Sequence, residues 1–171
     1  EMPANERPLL FGVVQGGAYE DLRRESARTL GAMDFDGYGI GGSFTKEDIA
    51  TAVRWVNEII PENKPRHLLG IGEPIDMLLA IENGIDTFDC VHPTRIARHG
   101  CALVKRRFNT HEKREHLNLK NIIHAQDDRP LEDDCLCQTC QNHSRAYLHY
   151  LLTARENIVI NLLSIHNVHF M

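Results

Sequence analysis

Cys135-Leu136-Cys137-Gln138-Thr139-Cys140 places three thiols in six residues, and His166 follows 26 positions after the last of them. Together they make a four-ligand set of the Cys₃His type. Zn²⁺ binds such a set tetrahedrally, with closely spaced ligands on one side and a remote ligand closing the cage. The constraint on folding is strong, because a cysteine turn and a distant histidine must meet at one point. The alternative is three reduced cysteines in a turn, with His143, His149 or His169 as unrelated surface histidines. Clustered thiols in a cytosolic chain point to a metal rather than to disulfides. A closed four-ligand site leaves no position open for substrate or water. The zinc is therefore expected to be structural, with any reaction elsewhere in the chain.

The first part of the chain alternates. Leu9 to Val14 is a short apolar run ending at Gln15-Gly16-Gly17, which reads as a strand buried on both faces of a parallel sheet. Leu22, Ala27, Leu30 and Met33 then form a helical stripe over 18–33. Phe35 to Ile40 predicts a second strand, closing on Gly41-Gly42. Thr45 with Asp48 resembles a capping box ahead of a helix carrying Ile49, Ala52, Val53, Val56, Ile59 and Ile60, and Pro61 stops it. His67 to Ile71 predicts a third strand. A helix follows from Pro74, with Met77, Leu78 and Ile81 inward and Asn83-Gly84 as its stop. Thr87 to Val91 is the fourth strand.

This βαβαβαβ pattern, with a period of roughly 20–30 residues, is the signature of parallel strands joined by crossover helices. An open doubly wound sheet and a (β/α)₈ barrel both fit. A whole barrel needs about 250 residues, so a barrel here would be the second half of one. Beyond Gly100 the pattern changes. Residues 102–104 and 117–123 read as strand-like, Arg106 to His116 as a basic solvated loop, and Asp127 to Asp134 as an acidic loop. Helices over 144–153 and from about Glu156 follow, the second returning His166 to the cysteines. The expected division is a catalytic α/β part over 1–105 and a zinc-binding part with C-terminal helices over 106–171.

Composition narrows the function classes. No apolar run among the 171 residues approaches the roughly 18 needed to span a membrane. With three of the five cysteines assigned to metal, Cys90 and Cys101 remain as free thiols, which suits a reducing cytoplasm. A net charge of −5 argues against nucleic-acid binding by the chain as a whole but leaves room for a local basic patch.

In parallel α/β folds the active site gathers at the carboxyl ends of the strands. Those ends present Gln15-Gly16-Gly17, Gly41-Gly42-Ser43, Gly70-Ile71-Gly72-Glu73 and Asp89. No dinucleotide or Walker fingerprint is present. Glycine pairs at successive strand ends suit a planar ligand against backbone amides, with Gln15 offering a side-chain amide. Asp89 lies in the apolar run Phe88-Asp89-Cys90-Val91, where a carboxylate must be hydrogen-bonded, paired or used. It reads either as a cap for the next turn or as a nucleophile or base. Arg95 and Arg98 follow closely and suit a phosphodiester backbone.

Val14-Gln15-Gly16-Gly17, Asp34 to Gly42, Phe88 to Arg95, the Cys-x-Cys-x-x-Cys set, Ser144 to Leu148 and Ile165-His166-Asn167 together resemble the tRNA-guanine transglycosylases. The motifs run in family order from about residue 11 to the end. The resemblance implies the C-terminal half of a (β/α)₈ TIM barrel with a zinc-binding subdomain. The implied enzyme is a pentosyltransferase that exchanges guanine at the tRNA wobble position for a 7-deazaguanine (preQ1 or queuine) in queuosine biosynthesis. It implies Asp89 as the nucleophile forming a covalent ribosyl-aspartate. Gln15, Gly42 and Ser43 would recognise the base, Arg95 and Arg98 the RNA. Cys135, Cys137, Cys140 and His166 would hold Zn²⁺, and a cytoplasmic homodimer is the family expectation. The family's first half supplies a second active-site aspartate and one wall of the base pocket, so the fragment alone is expected to be inactive. Ser43-Phe44-Thr45-Lys46-Glu47 departs from the small apolar sequence usual after Gly-Gly, which leaves the incoming base open. The alternatives are a non-catalytic accessory subunit, against which Asp89 argues, and a zinc-stabilised tRNA-binding module.

Overall fold

The computed structural model describes residues 7–42, 45–109 and 115–171. The chain forms two compact units, Glu1–Cys90 and Val91–Met171.

In the first unit, strands β1 (Phe11–Val14), β2 (Gly37–Ile40), β3 (Arg66–Leu69) and β4 (Thr87–Asp89) form one sheet in that order. Every neighbouring pair is parallel, with Val14 opposite Ile40, Ile40 opposite Leu68, and Leu69 opposite Asp89. Helices α1 (Glu20–Gly31), α2 (Ile49–Asn57) and α3 (Pro74–Glu82) make the crossovers. Side chains alternate across a strand. Val14, Tyr38, Ile40 and Leu68 point one way and share a single core with Ala27, Val53, Val56 and Ala80 of the helices. The opposite face carries Val13 and Leu69, which are 42% and 39% exposed in this chain. The sheet is thus clad by helices on one face only, and the expectation of strands buried on both faces is corrected.

Two helical stripes are also corrected. In α1 the inward residues are Arg23 and Ala27, while Leu22 and Met33 are about half exposed. In α3 the buried residue is Ala80, and Leu78 and Ile81 face outward. The α2 stripe holds, with Ile49, Ala52, Val53 and Val56 all buried. A 3₁₀ turn, Lys46–Asp48, precedes it, and the Asp48 carboxylate accepts from Thr45 N–H at 3.4 Å, half of the expected capping box, and from the Thr45 hydroxyl at 2.8 Å. Helix α3 stops as Asn83-Gly84 predicts. Gly84 N–H donates to the Ile81 carbonyl and Ile85 N–H to that of Ala80, with Gly84 at φ 89°, a Schellman ending.

The second unit begins with helix α4 (His92–Arg98), a stretch to which the sequence reading assigned no element, with Pro93 in its first turn. In the first helical turn proline loses nothing, since those N–H groups have no intrahelical acceptor. Strands β5 (Cys101–Leu103) and β6 (His116–Asn118) pair antiparallel. The strand-like reading of 117–123 ends early, in a turn and the 3₁₀ segment Ile122–His124. Helices α5 (Gln138–Asn142), α6 (Arg145–Thr153) and α7 (Ile158–Phe170) complete the unit. Leu148, Val159 and Leu163 join Ala102, Leu117 and Leu131 in its core. Residues 91–105, grouped with the first part in the sequence reading, bond here to β6 and α7. Among the described residues no helix is long and apolar enough to cross a membrane.

Candidate active site and candidate metal centre

Glycine-bearing loops follow β1, β2 and β3 at their carboxyl ends. Gly16, Gly17, Gly42 and Gly70 all have positive φ there, which side chains other than glycine rarely adopt. The Gln15 amide lies over the β2 turn. A Cβ on Gly41 would fall 2.7 Å from its Nε2, and one on Gly42 3.0 Å from its Oε1. The structure therefore brings Gln15 and Gly42 together, while Ser43 lies outside the described residues. Arg23 ties the two turns to each other. Fully buried on α1, it donates through Nε to the Gly17 carbonyl and through Nη2 to that of Gly41 at 3.0 Å. Burial lowers its pKa.

Asp89 ends β4 on the face not covered by helices, with its side chain 60% exposed. The desolvation suggested by its apolar neighbours is absent, because Phe88 points to the helices and Asp89 away from them. Its Oδ1 accepts from Gly70 N–H at 3.2 Å and lies 3.0 Å from His67 Nε2. His67 Nδ1 is in turn 2.9 Å from Thr87 Oγ1. Parallel register explains the group: His67 and Leu69 of β3 share a face with Thr87 and Asp89 of β4. The capping alternative is not what the geometry displays, since these Asp89 partners come from β3 and the turn after it.

Arg95 and Arg98 lie in the second unit, on the exposed side of α4, three residues apart. Within the basic loop, Arg107 pairs with Asp134 and stands over the Phe108 ring at 4.9 Å; 110–114 lie outside the described residues. The acidic loop is partnered internally as well. Asp127 takes both Arg129 Nε and Nη2 at 2.8 Å, and buried Glu132 accepts from Lys105 N–H. Arg129 holds the Asp127 carboxyl at a pKa of about 2.

The candidate metal ligands converge. The Sγ atoms of Cys135, Cys137 and Cys140 lie 3.7, 3.5 and 3.3 Å from His166 Nδ1, and all four ligand atoms lie within 4.8 Å of one another. A tetrahedral ion with bonds of about 2.3 Å to sulfur and 2.0–2.1 Å to nitrogen would set S···N edges near 3.5 Å. His166 Nε2 donates to the Leu103 carbonyl at 2.7 Å, which leaves the Nδ1 lone pair facing the thiols. Cys140 N–H points at Cys137 Sγ at 3.4 Å. Burial raises the Cys135 and Cys140 thiol pKa values and lowers that of His166. An arriving cation must therefore displace thiol protons but meets a neutral imidazole. Of the rival histidines, His149 Nδ1 bonds the Leu119 carbonyl and His143 stacks on Tyr147, while His169 is not part of the converging ligand set. The donor set and its geometry fit a four-coordinate metal.

Sequence reasoning gave no role to His67, Thr87 or Arg23, and it held Asn167 and the buried Arg145 only as members of motifs. Period-two alternation puts His67 and Leu69 on one face, but only inter-strand register aligns them with Asp89.

The family model for queuine tRNA-ribosyltransferase matches residues 1–171. Among curated relatives, a queuine tRNA-ribosyltransferase of Cyanothece sp. (strain PCC 7425 / ATCC 29141) is 49% identical over 95% of this chain and 42% of its own length. One from Synechococcus elongatus is 48% identical over 96% of the chain and 42% of its own length. One from Streptococcus pyogenes is 46% identical over 99% of the chain and 44% of its own length. The chain belongs to the queuine tRNA-ribosyltransferase family. It spans about two fifths of the length of these relatives.

Proposed function

We propose that the native-length protein carrying this chain exchanges guanine at the tRNA wobble position for a 7-deazaguanine, through a covalent ribosyl-Asp89 intermediate. The observation that carries this reading is the Asp89 carboxylate, exposed at the carboxyl end of β4 and held through one oxygen by partners from β3 and its turn. In the first step a carboxylate oxygen bonds to C1′ of the target ribose as the C1′–N9 bond breaks, and guanine leaves, its N9 taking a proton from water. In the second, N9 of the incoming base attacks C1′, loses its proton and releases Asp89 as carboxylate. Two displacements retain the stereochemistry, as in a retaining glycosidase. An unpaired loop base is also cheaper to extrude than a duplex one.

Gln15, Gly42 and Ser43 are assigned to the base. The β2 turn and Asp89 stand two strand spacings apart, about 9–10 Å, a distance a purine nucleoside bridges. Arg95 and Arg98 are assigned to RNA phosphates; neither side chain has a hydrogen bond or ion pair among the described residues. The sheet is read as the C-terminal half of a (β/α)₈ barrel. Supporting that are the sequential order β1-β2-β3-β4, crossovers on one face and a bare opposite face. A doubly wound sheet reverses its strand order and carries helices on both faces. The second active-site aspartate is expected from outside this chain. Cys135, Cys137, Cys140 and His166 would hold Zn²⁺, whose contribution is structural, since all four positions are taken by protein ligands. The homodimer and the cytoplasmic setting are part of the same reading, and unbridged cysteines suit the latter.

The test is a covalent trap. Native-length protein is incubated with tRNA and 9-deazaguanine and run on a denaturing gel beside Asp89→Asn. A shifted band that disappears in the variant is expected. No shift from folded, metal-loaded protein would favour the accessory or RNA-binding alternative.

A further inference from the structure

Asp89 has two oxygens, and the fold treats them differently. Oδ1 accepts from Gly70 N–H at 3.2 Å and meets His67 Nε2 at 3.0 Å, both contributed by β3 and the turn after it. A carboxylate is an acceptor only, so the Nε2 facing it must carry the proton. That requirement defines the tautomer of a neutral His67: Nδ1 is the acceptor, and the group 2.9 Å from it is the Thr87 hydroxyl, which donates. Thr87 stands two residues before Asp89 on β4 and directly opposite His67 in register. The chain Thr87 Oγ1–His67–Asp89 Oδ1 therefore closes between two adjacent strands, on the same face as the candidate nucleophile.

We propose that His67, held by Thr87, is a positioning residue for Asp89: it fixes Oδ1 and leaves Oδ2 as the oxygen that bonds to C1′ of the ribose. This rests on the reading of Asp89 as the nucleophile. Attack requires one lone pair aimed at C1′ in line with the departing base. A carboxylate free to rotate about χ2 presents either oxygen over a wide range of directions. Two donors on one oxygen remove that freedom before substrate arrives, which is the entropic part of a near-attack geometry. The donors also draw charge towards Oδ1, so a hydrogen bond must be kept short enough to orient yet neutral enough to leave Oδ2 nucleophilic. An imidazole N–H and a backbone amide meet that condition better than a lysine or arginine would.

The experiment uses the native-length protein and an anticodon stem-loop RNA with guanine at the wobble position. Single-turnover formation of the covalent RNA adduct is measured with RNA affinity and metal content alongside. His67→Phe removes the donor and is expected to slow adduct formation by about 10–100-fold, with RNA affinity changed by less than about twofold. His67→Gln carries an amide N–H at the same reach and no tautomers, and should restore the rate to within about fivefold of wild type. Thr87→Val unlocks the tautomer and should fall between them, but have no further effect in the His67→Gln background. That non-additivity is what a merely structural role would not produce. Wild-type adduct formation by His67→Phe, or equal losses in His67→Phe and His67→Gln, would overturn the proposal. Adduct formation by Asp89→Asn would instead remove the reading beneath it.

Discussion

A methyl group added to Gly41 would meet Gln15 Nε2 at 2.7 Å, Val13 Cγ1 at 3.2 Å and Leu69 Cδ1 at 3.3 Å. The tightest of these contacts is to the free end of a flexible side chain, which can swing aside. Gly41→Ala should therefore leave stability within about 1 kcal/mol of wild type while displacing the amide assigned to the base. Steady-state exchange of labelled guanine should show KM for the base raised by about tenfold, with thermal melting nearly unchanged. Asp127 acts on stability instead. Its folded pKa of about 2 lies below the usual 3.8 because Arg129 and the buried Arg145 favour the charged form. A depressed carboxyl stabilises the fold fully above its unfolded pKa, and that contribution fades as pH falls from about 4 to about 2. Asp127→Asn should thus cost about 1–3 kcal/mol at pH 7, and the gap to wild type should close over that acidic window in urea titrations. The sequence marks Gly41 as one of a ligand-facing glycine pair and Asp127 only as the start of an acidic loop, because the partner of each is distant in the chain.

At the scale of elements, α7 does more than deliver a ligand. His166 and Asn167 grip the same strand residue: His166 Nε2 donates to the Leu103 carbonyl, and Leu103 N–H donates to Asn167 Oδ1 at 2.8 Å. Asn167 Nδ2 also donates to the carbonyls of Pro93 and Cys101, at 2.9 and 3.1 Å. The free edge of β5 is thereby satisfied by side chains of a helix rather than by another strand. Asn167→Ala would leave the buried Leu103 N–H without its acceptor and take a donor away from the Pro93 and Cys101 carbonyls. It should destabilise the second unit by about 2–4 kcal/mol, measured by chemical denaturation, and loosen metal retention. A helix here was predicted from the apolar residues after Glu156, and His166 was picked out by the cysteines. Asn167 was noticed only as part of a motif; its three bonds appear once β5 and α4 lie against α7.

At the scale of the molecule, the two units respond differently to their surroundings. The second holds its candidate metal ligands in and beside its own core, where Cys137 and Cys140 pack with Leu131 and Leu163. Chelation should therefore lower the melting temperature of residues 91–171 by well over about 10 °C. A transition arising from the first unit should be left in place, which calorimetry with metal analysis would resolve. Local patterns carried the ligand set, the βαβαβαβ alternation and a carboxylate at the fourth strand end. Each is written in neighbouring residues: period-two and period-3.6 hydrophobicity, turn glycines, and thiol spacing. Tertiary structure alone decided which sheet face stays bare, why Arg23 rather than Leu22 turns inward, and that His67 meets Asp89. Those outcomes depend on strand register and on carbonyls brought together from segments far apart in the chain, and a local pattern constrains neither.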